Sequence, residues 1–278
     1  MNTSAIAMTA ASTNPAAQKK SPALPRALWG LLLPLTVLLL AEISVRFALI
    51  PSNLLPAPSE IFGTLLYLWQ HDLLSHIGVS SARVAAGFVI GAVLAITIGS
   101  MVALSGRLDA LLDPSFQALR AIPSLAWVPL LLLWLGIDEA PKLVLIAIGA
   151  FFPVYMGVVS GIRGVDRRLT EVGKLYRLTP YAMTRRILLP AALPAILTGL
   201  RNGLSLAWMF MVAAELIAAS QGLGYLLTDG RETSRADIVL AAIALLALLG
   251  KISDWGMQQL ERHLLSWRDT YQAEGTSA

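Results

Sequence analysis

The chain has 278 residues, of which 56% are hydrophobic and 14% are charged, and its mean hydropathy is +0.68. Soluble domains carry about 25% charged residues, so this composition excludes an ordinary soluble protein and indicates several membrane spans. The net charge of +4 does not indicate nucleic acid, because basic residues collect on the cytoplasmic loops of membrane proteins. Cysteine is absent and the three histidines are scattered, so disulfides are excluded and no metal site is predicted.

The N-terminal part of the chain combines a polar tail with a first membrane helix. Residues 1–26 are rich in small polar residues and are predicted to form a disordered cytoplasmic tail. A span is predicted from Leu28 to about Ile50, where Glu42 and Arg46 share one helix face and can pair near the interface. A cleaved signal peptide is the alternative, but an apolar run of about 20 residues is longer than a signal core.

An external amphipathic segment follows the first span and completes region 27–72. Prolines at 51, 56 and 58 end the first helix, and Ser59 is predicted to cap a short helix from about Glu60 to Gln70. Residues 51–79 contain no Lys or Arg, which predicts that this segment lies in the periplasm.

Region 73–260 is predicted to hold five further spans, which makes an all-α integral membrane protein with about six transmembrane helices. Span two contains Gly87 and Gly91, whose spacing predicts a close-packing face. Span three contains three prolines and is predicted to be kinked or broken. The five spans run from about Ser80 to Ser105, Leu111 to Gly136, Pro141 to Ile162, Gly199 to Ala219 and Ile238 to Leu260, before a polar tail at 261–278.

Basic residues are unevenly distributed between the predicted loops. Eight of them lie between Arg163 and Arg201, whereas the predicted outer segments hold few, chiefly Lys142, Arg231 and Arg235. This bias predicts that the loop 163–200, the N-terminus and the C-terminus are all cytoplasmic.

The loop 163–200 has the signals of a compact helix–turn–helix. Asp166 is predicted to cap a first helix. Thr179 followed by Pro180 predicts the start of a second short helix, which Pro190 and Pro194 are predicted to close. A structured basic loop on a hydrophobic protein suggests a soluble partner on the cytoplasmic side.

The loop contains Glu171-Val172-Gly173 and, further on, Ile187-Leu188-Leu189-Pro190. This pattern resembles the EAA motif of permease subunits in ATP-binding-cassette importers. The motif reads EAA, three residues, Gly, nine residues and I-x-L-P. One departure is Val-Gly in place of Ala-Ala, and the other is an arginine in the glycine position, where a positive φ costs a non-glycine residue about 1 kcal/mol. Either the turn at this position no longer has a positive φ, or the arginine adopts the positive φ despite its cost. The motif positions hold Glu171, Val172, Gly173, Arg177, Ile187, Leu189 and Pro190.

The resemblance extends over roughly residues 55–268. Stretches such as ALRAIPSLAWVPLLLLWLGIDEAPK and AAELIAASQGLGYLL look like the aliphatic sulfonate permeases, a branch shared with nitrate and taurine permeases. A type I importer permease fold in the bacterial inner membrane is implied. The resemblance also implies an assembly of two copies of this chain around a pore, two cytoplasmic ATPase subunits that bind ATP and magnesium, and a periplasmic substrate-binding protein.

The resemblance also implies a transport subunit and not an enzyme. The chain lacks a G-x-x-x-x-G-K-[ST] phosphate loop, so no cofactor is expected on it and the energy is expected to come from the ATPase. Glu171 is predicted to form a salt bridge with an ATPase arginine; the alternative is that it only stabilises the N-terminus of its own helix.

Candidate substrate-path residues lie in spans three and five. Arg120 is the cationic candidate for attracting an anion, and the alternative places it at the inner interface with its side chain extended toward water. Glu215 is predicted to be buried near the outer end, paired with a basic group or bound to the backbone. Four further residues are candidates to face the pore, with ordinary helix packing as the alternative: Ser205, Trp208, Met209 and Met211.

The predicted function is that of a permease subunit importing a small organic anion, an aliphatic sulfonate by resemblance, with nitrate, taurine or another small anion as the alternative. An intramembrane enzyme would need paired acids, a Ser–Lys pair or a metal cluster at membrane depth, and the sequence shows none. An ion-coupled secondary transporter would need titratable residues at the bilayer centre, where candidates are sparse.

Overall fold

The computed structural model describes residues 26–52 and 54–267, and every regular element in these ranges is helical. A 3₁₀ turn at Ser124–Trp127 and a π-helical turn at Thr184–Leu188 accompany eleven α-helices in the described chain. The helices are α1 Arg26–Arg46, α2 Pro58–Gln70, α3 Leu73–Leu104, α4 Gly106–Ala121, α5 Val128–Leu135, α6 Glu139–Arg163, α7 Arg167–Leu175, α8 Pro180–Met183, α9 Leu189–Ala218, α10 Leu223–Glu232 and α11 Ala236–Leu264. The predicted all-α architecture is confirmed.

Four of the described helices are long and apolar enough to cross a membrane: α3, α6, a continuous helix Pro180–Ile217 and α11. A fifth candidate is α4 together with the segment Ser124–Leu135, a pair that bends by 90°. The first predicted span corresponds to α1, whose side chains from Leu32 to Leu40 are exposed in the isolated chain. The described chain thus holds four to five candidate spans beside α1.

The predicted break in span three is confirmed and has a local cause. Ile122 precedes Pro123, and the proline ring disfavours helical backbone in the residue before it. Ile122 accordingly has extended dihedrals of φ −76° and ψ 125°, and α4 ends there.

Several predicted boundaries differ from the structure. α3 begins at Leu73 and not near Ser80, so it starts seven residues before the predicted span. α11 runs to Leu264, so the predicted tail 261–278 begins inside a helix. Residues 1–25 and 268–278 of the two predicted tails lie outside the described residues.

The predicted cap of α2 is wrong. Pro58 occupies the first turn and Ala57 is the N-cap, with the Glu60 carboxylate accepting a hydrogen bond from the Ala57 N–H at 3.2 Å. Ser59 instead donates its hydroxyl to Glu42 at 2.8 Å, while Arg46 donates to the same carboxylate at 2.8 Å. The predicted Glu42–Arg46 pair is therefore confirmed, and it is tied to α2 through Ser59.

Helix α6 lies between α3 and α9 and forms the centre of the bundle. The predicted close-packing face of α3 contacts α6: a Cβ added at Gly91 would lie 2.4 Å from the carbonyl oxygen of Ala147, and one at Gly87 would lie 2.6 Å from Ile146. At Gly91 only glycine allows the two backbones to approach this closely, because a side chain there would overlap with a main-chain carbonyl that cannot rotate away.

A buried polar cluster joins α3, α6, α9 and α10 at the end of the bundle predicted to be outside. The Arg83 guanidinium donates to Glu215 at 2.7 Å, to Glu139 at 2.6 Å and to the Gln221 carbonyl at 2.6 Å. Glu215, only 1% exposed, also accepts from the Ser80 hydroxyl at 2.9 Å.

The cluster also holds the start of α10. The Glu215 carboxylate accepts from the Gly224 N–H at 2.8 Å, and the Ser80 hydroxyl accepts from the Leu223 N–H at 2.8 Å. The prediction that Glu215 is buried and pairs with a basic group or with backbone is confirmed on both counts. A buried acid satisfied by an arginine and by backbone N–H groups fixes the relative positions of four helices.

Neutralising Glu215 leaves the Arg83 charge partly uncompensated in a buried site. Glu215→Gln is expected to lower the free energy of unfolding by about 3 kcal/mol, because removing one partner of a buried ion pair costs more than the pair itself contributes. Thermal unfolding of the purified protein in detergent measures this loss. The matched control is Glu232→Gln on an exposed side chain of α10, which should leave the midpoint unchanged. Equal midpoints for the two variants would contradict this account of the cluster.

Candidate functional site

The loop 163–200, predicted to be cytoplasmic, forms the two helix starts that the sequence predicts. The Asp166 carboxylate accepts a hydrogen bond from the Arg168 N–H at 2.9 Å, which caps α7. The Thr179 hydroxyl accepts from the Ala182 N–H at 3.3 Å, and Pro180 occupies the first turn of α8. Both ends are satisfied locally, so α7 and α8 are ordered elements.

Arg177, in the glycine position of the motif, adopts the left-handed conformation with φ +51°. The Arg177 N–H donates to the Lys174 carbonyl at 2.9 Å, and the Leu178 N–H donates to the Gly173 carbonyl at 3.1 Å. These two bonds form a Schellman motif, in which the residue after the helix prefers glycine. The turn is thus retained, and the arginine occupies it at a cost of about 1 kcal/mol.

The second half of the loop differs from the prediction. Pro190 and Pro194 do not close a short helix: α8, the π-helical turn and α9 follow one another without a break, as one helix from Pro180 to Ile217. In the π turn the Leu189 N–H donates to the Thr184 carbonyl, five residues back. A π turn widens the backbone locally, and we attribute the tolerance of Pro190, which has no N–H to donate, to that widening.

Helix α7 folds back onto this continuous helix at Gly173. Gly173 is buried, and an added Cβ would lie 2.5 Å from Met183 and 2.7 Å from Ile187. Glycine at this position of the motif therefore permits a close approach of α7 to the π turn. Helix α7 therefore packs directly on the helix that continues into α9.

The outer face of the loop exposes apolar side chains, which we call the coupling surface: Val172, Leu175, Tyr176 and Tyr181. Leu175 is 82% exposed and Tyr176 is 78% exposed in the isolated chain. The exposed cations Lys174, Arg177 and Arg185 flank them. An apolar patch with a polar rim is typical of a protein interface.

Glu171 lies beside the coupling surface and is paired within its own helix. The Arg167 guanidinium donates to its carboxylate at 3.0 Å, with side chains that are 90% and 56% exposed. Exposed pairs of this kind contribute about 0.5 kcal/mol, so Arg167 can be replaced by another cation at little cost. Of the remaining motif residues, Ile187 is partly buried while Leu189 and Pro190 are exposed.

A groove of about 750 Å³ runs between the α4 end, α6 and α9. Arg120 and Met209, two of the predicted substrate-path residues, line it together. Sequence reasoning missed the wall contributed by α6, although Pro153 and Ser160 inside an apolar helix are a signal that points to it. The α6 wall consists of Ile148, Gly149, Phe152, Pro153, Met156, Gly157 and Ser160, and α9 adds Asn202 and Phe210 among others.

The other three candidates lie away from the groove. Met211 is completely buried and packs with Val84 and Ile146. The Trp208 indole donates to the Ser253 hydroxyl at 2.9 Å and so joins α9 to α11. The Ser205 hydroxyl donates to the Arg201 carbonyl of its own helix at 3.2 Å.

Replacing Arg177 by glycine removes the conformational cost of the turn. Arg177→Gly is expected to stabilise the α7 end by about 1 kcal/mol, which slows amide hydrogen exchange of residues 172–178 by about fivefold. The control Lys174→Gly, inside the helix, is expected to speed exchange there, because glycine weakens a helix interior. Faster exchange in Arg177→Gly would show that the left-handed turn is not populated in solution.

Comparison with known proteins gives a consistent result. The family model described as "Binding-protein-dependent transport system inner membrane component" matches residues 87–266. The putative aliphatic sulfonates transport permease protein of Bacillus subtilis (strain 168) is 41% identical over 263 residues, covering 94% of this chain and 95% of the relative. The taurine transport system permease protein of Escherichia coli (strain K12) is 33% identical over 230 residues, covering 81% and 84%.

Among solved structures, inward-facing conformations of the MetNI methionine ABC transporter match with a TM-score of 0.62 at 19% identity. That match covers 69% of this chain and 95% of the other. The predicted permease fold is thereby confirmed. As a member of this family the protein is a transport subunit that crosses the inner membrane several times, and it is not an enzyme. Because the family model spans more than half of the chain, the chain belongs to the binding-protein-dependent transport system inner membrane components, which are the permease subunits of ATP-binding-cassette importers.

Proposed function

We propose that this permease carries a small organic anion, an aliphatic sulfonate, across the inner membrane at the expense of ATP hydrolysed on a partner. Similarity supports this cargo, since identity to the relative named for aliphatic sulfonates is 41% and to the one named for taurine 33%. Taurine, nitrate or another small anion is the second candidate, because the taurine relative also covers most of the chain.

The coupling surface is the observation that supports an ATPase partner. Leu175, Tyr176 and Tyr181 expose most of their apolar area to solvent, which is unfavourable unless another protein covers it. The flanking cations favour a partner cleft with acidic residues at its rim. The high density of basic residues supports a cytoplasmic position for this surface and for both termini.

The assembly we propose contains two copies of this chain, two ATPase subunits that hold ATP and magnesium, and a periplasmic substrate-binding protein. Each copy would insert α7 and α8 into one ATPase subunit. Glu171 would exchange its partner Arg167 for an arginine of the ATPase, since the internal pair is exposed and weak. A charge-assisted hydrogen bond that forms at the interface is stronger, because the interface excludes water.

Closure of the ATPase pair would then move α7 and the continuous helix together. Gly173 holds α7 against Met183 and Ile187, and the helix continues from there to the groove wall at Asn202 and Met209. From Tyr181 of the coupling surface to the groove wall the chain is one continuous helix. Val172 would contact the ATPase as part of the coupling surface, while Arg177, Leu189 and Pro190 would support the shape of the loop.

Reversing the charge of Glu171 tests the coupling role. Glu171→Arg is expected to reduce sulfonate uptake by membrane vesicles to background and to reduce co-purification of the ATPase, because two arginines then face each other. The amount of protein in the membrane should not change, since Glu171 makes no buried contact. Glu232→Arg, the same change on exposed α10, is the control. Normal uptake by Glu171→Arg would remove the coupling role.

Growth on defined sulfur sources tests the cargo. A deletion strain is expected to fail on ethanesulfonate as sole sulfur source and to grow on sulfate, and a plasmid copy of the gene should restore growth. A strain that fails only on taurine would support the second candidate. Unimpaired growth on every organic sulfonate, taurine included, in a strain without a second importer of this class, would contradict a sulfonate cargo and leave nitrate or another small anion.

A further inference from the structure

Helix α4 packs mainly on α3, and its side chains contact α6 in the reverse chain order, which shows the register between the two helices. Asp109 pairs with Arg163 at the cytoplasmic end of α6. One turn later, the Tyr155 hydroxyl donates to Asp113 at 3.0 Å. Phe116 then packs against Phe151, with tilted rings whose centroids are 5.6 Å apart. Each turn of α4 therefore rises toward the middle of α6.

Arg120 lies about one turn beyond Phe116 on α4 and lines the groove, whose α6 wall runs from Ile148 to Ser160. Phe151, the α6 contact of Phe116, is the thirteenth of the 25 residues of α6, so at 1.5 Å per residue it lies roughly 18 Å from either end of that helix. Arg120 therefore lies near the middle of α6, a helix long enough to cross a membrane. This register favours the anion role of Arg120 over its alternative placement at the inner interface.

The Arg120 charge has no partner among the described residues. No carboxylate there lies within ion-pair distance of its guanidinium, whereas Arg83, Arg163 and Arg201 each contact an acid. An unpaired cation is costly at this depth, and such residues mark a substrate or ion pathway. Here the open groove, not a protein acid, surrounds the guanidinium.

The described lining of the groove suits an anion with an apolar tail. It contains no aspartate or glutamate, while the Asn202 side chain, which makes no hydrogen bond to the described residues, offers amide donors. Phe152, Met156 and Met209 supply apolar wall. A volume of about 750 Å³ far exceeds a small sulfonate, so the anion would be held by few contacts and released easily.

We infer that Arg120, assisted by Asn202, forms a transient anion site inside the transport groove, where the guanidinium binds two oxygens of a sulfonate group. This inference rests on the proposed import function. It adds a preference between two kinds of sulfonate, simple anions and zwitterions, which membership of the family does not specify. A zwitterion such as taurine brings an ammonium group for which the described lining has no acid, and the Arg120 charge repels it. The site therefore favours simple anionic sulfonates over taurine.

The test uses the complete importer, with its ATPase and binding protein, reconstituted in liposomes. Uptake of radiolabelled ethanesulfonate and taurine is measured together with ATP hydrolysis stimulated by the loaded binding protein. The variants are Arg120→Gln and Arg120→Lys. Arg107→Gln, the same change on an exposed residue at the other end of α4, is the matched control.

For Arg120→Gln we expect about tenfold slower ethanesulfonate uptake, because a charge-assisted hydrogen bond is lost, with stimulated ATP hydrolysis kept within about twofold. Arg120→Lys should keep part of the uptake, and Arg107→Gln all of it. The preference for ethanesulfonate over taurine should shrink in Arg120→Gln.

Two outcomes separate this inference from the proposed function. If the Arg120→Gln importer takes up ethanesulfonate as fast as the wild-type importer, the anion site is overturned and the proposed import function still holds. A wild-type importer that moves no sulfonate, taurine or nitrate despite ATP hydrolysis would overturn the proposed function and the site with it.

Discussion

The proposed coupling depends on the continuity of one helix. From Pro180 to Ile217 the backbone remains helical, although Pro190 and Pro194 interrupt its hydrogen bonds and the π-helical turn widens it. In the proposed assembly, a partner bound to the coupling surface would act on this helix, whose far half forms a wall of the groove. A flexible joint at Pro190 would absorb the displacement before it reached the groove.

Two positions along α9 are restrained in different ways. Near the C-terminal end of α9, Glu215 is buried and joined to Arg83, Ser80 and the start of α10, so this end is fixed to α3 and α10. In the middle of α9, Arg201 pairs with Asp254 of α11, and both side chains are partly exposed. Buried networks are costly to break, whereas partly exposed pairs exchange readily. The C-terminal end of α9 is therefore held more firmly than the segment around Arg201.

The features that depend only on residues close together in the sequence, such as helix caps and proline breaks, were predicted correctly in most cases. The caps at Asp166 and Thr179, the Glu42–Arg46 pair and the break before Pro123 each need only a few residues of sequence, and the structure contains all of them. The cap of α2 was assigned to Ser59 because the helix start was placed two residues late, after Pro58.

The π turn at Pro190, the depth of Arg120 and the burial of Met211 depend on tertiary structure, so the sequence alone did not predict them. A proline normally ends a helix, and nothing in the sequence around Pro190 indicates that a π turn accommodates it. The depth of Arg120 follows from the register of α4 on α6, and the burial of Met211 follows from which face of α9 meets α3 and α6. The spacing of residues along the chain reveals neither the register between α4 and α6 nor the face of α9 that meets α3 and α6.

Distance measurement inside the working importer tests the rigid helix most directly. The chain contains no cysteine, so spin labels can be attached specifically at Ala182→Cys and Ser205→Cys, on either side of the π turn. Labelled copies are diluted with unlabelled ones, and the distance is measured by pulsed electron paramagnetic resonance without nucleotide and after trapping with ATP and vanadate. The account predicts a distance of roughly 35 Å that does not change, while the distance from Ala182→Cys to Thr97→Cys on α3 does. A distance between 182 and 205 that changes on trapping would contradict it.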